Sequence, residues 1–160
     1  MRKTDIQDLI QLLGMVGIIG SLIFVGLEMK QSQNFAEAAQ QQTRSDSAMN
    51  QFAVLTEAGH DAQSILTNDL SEPYQLRPLD VAARNFYHQL LTLYESDFFQ
   101  HQRGLMPPSV WDAKLGALAF LKTQCNHREI LDFRSQSFPK ELSDIIAALP
   151  DPCADLSLTA

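Results

Sequence analysis

The residues of this chain best suited to chemistry lie in one stretch: Tyr94, Glu95, Asp97, Phe98, Phe99 and His101. Asp97 and His101 stand at i and i+4, which on a helix puts both side chains within reach of one metal ion. His88 lies one heptad before Glu95, on nearly the same face. A carboxylate-bridged di-iron bundle, however, needs Glu-x-x-His on two helices, and the sequence has no such pair. It lacks H-E-x-x-H as well. No serine sits in a G-x-S-x-G elbow, and neither Cys125 nor Cys153 stands in an evident activating context. The sequence thus names no catalytic residue, no metal ligand set and no cofactor.

The element that must position this stretch is a long helix predicted from Pro78 to Gln102. Pro78 suits a first-turn position and Gly104 a C′ position. Ala83, Phe86, Tyr87, Leu90, Leu91, Leu93, Tyr94 and Phe98 form an apolar band of helical period. Arg84, His88, Gln89, Thr92, Glu95 and Ser96 fill the other side; Glu95 and His88 read as a solvated or second-helix-facing edge, and Ser96 as facing outward. Glu95 borders the apolar band. A carboxylate there must be hydrogen-bonded or paired, because an unpartnered one costs free energy beside a packed face. The expected donors are Arg84, Arg103, Arg128 or a backbone N–H. Downstream, Ser109 is expected to cap a helix carrying Trp111, Leu115, Leu118 and Leu121. Asn126 is expected to cap a second, before Ile130, Leu131 and Phe133. Ser137 and Pro139 open a last helix through Leu142, Ile145, Ile146 and Leu149. The expected core is Phe86, Leu90, Tyr94, Phe98, Trp111, Leu115, Leu118, Phe133 and Ile145.

Upstream the chain is different. Leu9 to Leu27 carries one Gln, one Ser and no charge, and roughly 20 apolar residues span a bilayer's hydrocarbon core as a helix. A cleavable signal would require a small-residue site soon after the run. Glu28, Met29, Lys30 and Gln31 follow instead. A buried core helix can also be apolar all round, but the expectation is a single membrane span. Gly14, Gly17, Gly20 and Ser21 are small residues spaced to let another helix approach closely. They point to a membrane-protein partner or a homo-oligomer through the span. Arg2, Lys3 and the α-amine precede the span, and Lys30 and Arg44 follow it. The positive-inside count is therefore close to a tie.

The reading is an all-α chain. It has a transmembrane anchor at 1–30, a polar helical neck at 31–58, a small helical bundle at 59–150 and a flexible tail at 151–160. The neck, rich in Gln, Ala and Ser, is expected to stop near Gly59, with a short helix near 61–66 and a loop through Pro73 to Pro78. The net charge of −7 excludes nucleic acid as a natural partner, since phosphate contacts need concentrated Lys and Arg. Cys125 and Cys153 form no metal or redox motif. In a periplasmic domain the two could pair, and in the cytoplasm they would stay reduced; because Cys153 lies in a Pro-rich tail, unpaired thiols are favoured.

The runs SLIFVGLEMKQSQNFAEA, YESDFFQHQRGLMPPSVWD and NHREILDFRSQSFPKEL resemble a family of uncharacterised short bacterial proteins with one N-terminal span and a helical soluble part. The resemblance is carried by Tyr94 and Glu95, by Phe98 and Phe99, by Gly104 and Leu105, by Trp111, and by Phe138 through Leu142. It covers most of residues 9–146. Leu131 and Leu142 depart from the aromatic character of that pattern. The resemblance implies the all-α fold, anchoring in the inner membrane and a slight lean, through Lys30, to a cytoplasmic domain; it implies no activity. The functional expectation is a membrane-anchored interaction protein that is not an enzyme. The alternative is a small-ligand sensor or enzyme using Tyr94 to His101.

Overall fold

The structure is a computed structural model that describes residues 3–69 and 76–154. Its described residues form helices and connecting turns, with no strand among them. The order is α1 (Lys3–Glu57), α2 (Ala62–Thr67), α3 (Pro78–Gln102), α4 (Pro108–Lys122), a 3₁₀ turn (Cys125–His127), α5 (Arg128–Ser135) and α6 (Lys140–Ala148). Pro73 and the tail from residue 155 fall outside the described residues, as does Arg2.

The chain divides into two compact units between Ala39 and Gln40. The first holds the N-terminal part of α1, whose apolar segment is long and uncharged enough to cross a membrane. The second begins inside the expected neck. Within residues 31–58, Ser45 and Phe52 are buried in the second unit.

Two helix ends follow from glycine. Gly59 has φ +74° and Gly104 φ +69°, a left-handed conformation that glycine adopts without a Cβ penalty. At the first, Gly59 N–H donates to Thr56 and His60 N–H to Leu55. At the second, Gly104 N–H donates to His101 and Leu105 N–H to Gln100. Both are Schellman closures, which satisfy the last carbonyls of a helix. Other starts differ from expectation. Pro107 is the cap residue of α4 and gives no side-chain bond, so Ser109 lies inside the first turn. Asn126 falls in the 3₁₀ turn, and His127 is the cap residue of α5.

α3 is the central helix of the second unit. Tyr87, Leu91, Tyr94 and Phe98 pack with Trp111, Leu118 and Leu121 of α4, Ile130 and Leu131 of α5, Phe138, and Leu142 and Ile146 of α6. Leu90, Leu115 and Ile145 pack at the margin, and Phe133 is half-buried. Phe86, expected in the core, is 58% exposed. Its neighbour Tyr87 takes the inward position, where its hydroxyl donates to the Leu121 carbonyl at 3.0 Å. A buried tyrosine with its hydroxyl satisfied keeps its apolar gain, and burial pushes its pKa up to about 12.

The tail also departs from expectation over its described part. Asp151 pairs with Arg128, and Cys153 is buried and joined to Cys125 by a disulfide. The expectation of unpaired thiols is thereby overturned. A Pro-rich segment after a helix reads as loose, but here the chain returns to the end of α4, where Cys153 Sγ lies 3.5 Å from the Lys122 carbonyl oxygen. Lys122, at the end of α4, fastens the same corner. Its buried Nζ donates to the carbonyls of Ile146 at 2.8 Å and Leu149 at 2.7 Å. A cation at those carbonyls complements the helix end.

Candidate functional site

Glu95 is half-buried on α3. Burial pushes its carboxyl up, and the charge of Arg134 pulls it partly back. Arg134 Nη2 lies 3.5 Å from Glu95 Oε2. The same nitrogen donates to Thr92 Oγ1 at 3.2 Å, and the guanidinium lies over the Phe138 ring. Arg134 comes from the last turn of α5, so one arginine ties that helix to α3.

The expected donors are committed elsewhere. Arg84 pairs with Asp61 and Glu129, Arg128 with Asp132 and Asp151, and Arg103 lies over the Phe99 ring. None of them is the partner of Glu95, which corrects the donor assignment. Chain spacing alone cannot say which arginine of α5 faces α3.

Asp97 and His101 share a helix face but not a site. Lys114 Nζ lies 2.9 Å from Asp97 Oδ2, and His101 stacks on Trp111 with ring centroids 5.0 Å apart. Among the described residues no group of three or more His, Cys, Asp or Glu is placed to hold a metal ion. An open cleft of about 420 Å³ lies beside Glu95, lined by Gln41, Phe98, Phe99, Gln102, Pro139 and Glu141.

The polar side of α3, read from sequence as an edge, is substantially buried. Asn85, His88, Thr92 and Ser96 are all shielded from solvent, and residues from the second unit's part of α1 meet them. Phe52 stacks on His88 at 5.1 Å. Gln89 Nε2 donates to the Met49 carbonyl at 3.2 Å, and Ser96 Oγ lies 3.5 Å from Gln42 Oε1. His88 is fully buried, with neither ring nitrogen hydrogen-bonded. Burial, with the charge of Arg134, pulls its pKa down to about 4, so the ring is neutral near pH 7.

At one end of this seam lies a polar hub that spacing did not reveal. Asp61, with a fully buried side chain, accepts bonds from Ser64 N–H and Ser64 Oγ, each at 2.8 Å, and from Arg84 Nε at 2.9 Å. It thereby caps α2. Asn85 is also fully buried. Its Nδ2 donates to Thr56 Oγ1 and to the His60 carbonyl, and its Oδ1 accepts from Ala62 N–H. The Asp61, Ser64 pair at cap spacing was the available sequence signal.

In the first unit, a methyl group added at Gly14, Gly17 or Gly20 would meet no neighbour within 4 Å. Ser21 Oγ donates within its own helix to the Ile18 carbonyl. Comparison with protein-family models, with curated proteins and with solved structures finds no match to this chain.

Proposed function

We propose that this chain is a membrane-anchored helical interaction protein, an accessory subunit, scaffold or assembly factor held at the inner membrane by residues 9–27. The resemblance of residues 9–146 to single-span bacterial proteins supports the anchor. The observation that carries the reading is the surface of α1. Leu13, Val16, Ile19, Leu22, Phe24 and Leu27 are each more than half exposed. Contiguous apolar surface on that scale is costly in water and marks contact with lipid or protein. Gly14, Gly17, Gly20 and Ser21 offer a close-approach row to a membrane-protein partner or a second copy. The acidic chain is unsuited to nucleic acid.

A second reading has its own support. The cleft beside Glu95 carries two carboxylates, Glu95 and Glu141, with Phe98 and Phe99, which suits a small-ligand sensor or an enzyme. Two experiments decide. Carbonate extraction should leave the full chain in the membrane pellet, and Ile19→Arg should impair insertion by about 2.5–3.5 kcal/mol. Purification from solubilised membranes should then return a stoichiometric partner or a homo-oligomer. A carbonate-soluble chain defeats the anchor. Anchored monomer without a partner, whose Glu95→Gln variant loses binding of a small molecule without loss of melting temperature, favours the second reading.

A further inference from the structure

We infer that the helical domain is an oxidised domain, placed on the side of the membrane where thiols become disulfides, with the residues before the span on the cytoplasmic side. The inference rests on the anchored reading above. Cys125 and Cys153 are 28 positions apart, yet their Cα atoms lie 5.4 Å from each other and their sulfurs are bonded. That separation lies in the ordinary disulfide range. Contacts that do not involve sulfur bring the two positions together. Lys122 holds the carbonyls of Ile146 and Leu149, and Arg128 bridges Asp132 to Asp151. The reduced fold would thus present both thiols already aligned, and burial of Cys153 shields the finished bond.

Formation of the bond needs an acceptor. Two thiols lose two protons and two electrons, and the electrons pass to the disulfide of an exchange-active thiol oxidase, which leaves as a dithiol. One S–S bond forms on this chain as one breaks on the oxidase. Such oxidants act outside the cytoplasm, where the thiol pool would otherwise keep the pair reduced. Charge does not oppose the orientation. Arg2 and Lys3 before the span face Lys30 and Arg44 after it, so the paired cysteines outweigh the lean drawn from Lys30.

The test uses the full chain in a bacterial host with a reducing cytoplasm and an oxidising periplasm. Cells are quenched in acid, and carbonate-washed membranes are denatured and treated with a polyethylene-glycol maleimide before or after reduction. The expected result is no adduct before reduction and two adducts after it. In a host lacking its periplasmic thiol oxidase, both thiols should label directly. The Cys153→Ser variant should leave Cys125 reactive in intact cells toward a membrane-impermeant maleimide admitted to the periplasm, whether or not the variant folds. Two adducts before reduction in the normal host would overturn the inference, as would a Cys125 that labels only after lysis. A chain that is oxidised but carbonate-soluble would overturn the anchor and the orientation together, and so separates that failure from a failure of oxidation.

Discussion

The two faces of α3 are built on different principles. The face toward α4, α5 and α6 is apolar and aromatic, with Leu91 fully buried and Tyr94 and Phe98 nearly so. The face toward the second unit's part of α1 is polar and buried as well, through Asn85, His88, Thr92 and Ser96. The first gains stability from area removed from water. The second gains little from area and instead requires particular partners, because a buried polar group without one costs free energy. The polar face therefore fixes how α1 lies on α3, at the expense of stability where pairing is incomplete, as at His88.

The largest effects should come from the apolar face. Phe98→Ala and Trp111→Ala should each cost about 3–5 kcal/mol, read as a fall in the denaturation midpoint. A cost below about 1 kcal/mol would break the contrast by removing the apolar face's advantage.

Next comes the hub. Burial alone would raise the Asp61 carboxyl, but the Arg84 and Ser64 hydrogen bonds and the Arg84 charge hold it below its usual value. Its contribution is thus present above about pH 4 and lost as pH falls through the lowered folded value. Asp61→Asn should cost about 3 kcal/mol, since it strips a charge from a buried pair. Equilibrium unfolding checks the cost, and its pH series should lose the acid limb assigned to Asp61.

His88 gives a second acid dependence. Unfolded, it takes a proton near pH 6.5; folded, only near 4. Above pH 6.5 neither state is charged there. As pH falls from 6.5 to 4, the unfolded state gains the proton first and the fold loses about 3 kcal/mol. His88→Leu should flatten that slope and leave stability at pH 7 equal or higher. An unchanged slope would mean that the ring has a partner.

Glu95 should respond less. Glu95→Gln keeps a hydrogen-bonding group opposite Arg134 and should cost less than about 1 kcal/mol. Glu95→Leu leaves that guanidinium without its carboxylate and should cost about 1–3 kcal/mol. Equal melting temperatures for the two variants would remove the structural role. The smallest effect belongs to Phe86→Ser, within about 0.5 kcal/mol, because the ring already faces solvent.

Much of α3 was legible in sequence because its ends are local. Pro78 and Gly104 set them without help from tertiary contacts. The inward position was not. Phe86 and Tyr87 both suit an apolar band, and the Leu121 carbonyl and His127 ring, both supplied from outside α3, favour the tyrosine. The polar seam stayed open between a solvated and a helix-facing edge for a related reason. His88, Thr92 and Ser96 have the pattern of a solvated face, and α1 meets them through Phe52 on His88 and Gln42 beside Ser96, of which only the first carries an apolar signature. Glu95's need for a partner could be argued from burial beside aromatics, but the choice of Arg134 depends on how α5 lies. The disulfide depends likewise on the return of the chain at Asp151, which no spacing announces.

Amide hydrogen exchange on the full chain in detergent tests the polar seam most directly. If residues 42–57 of α1 are clamped on α3, their amides should exchange with the same opening free energy as those of residues 85–98. Exchange of 42–57 orders of magnitude faster, with 85–98 still protected, would show that α1 leaves the polar face while the apolar face holds, and would contradict the account.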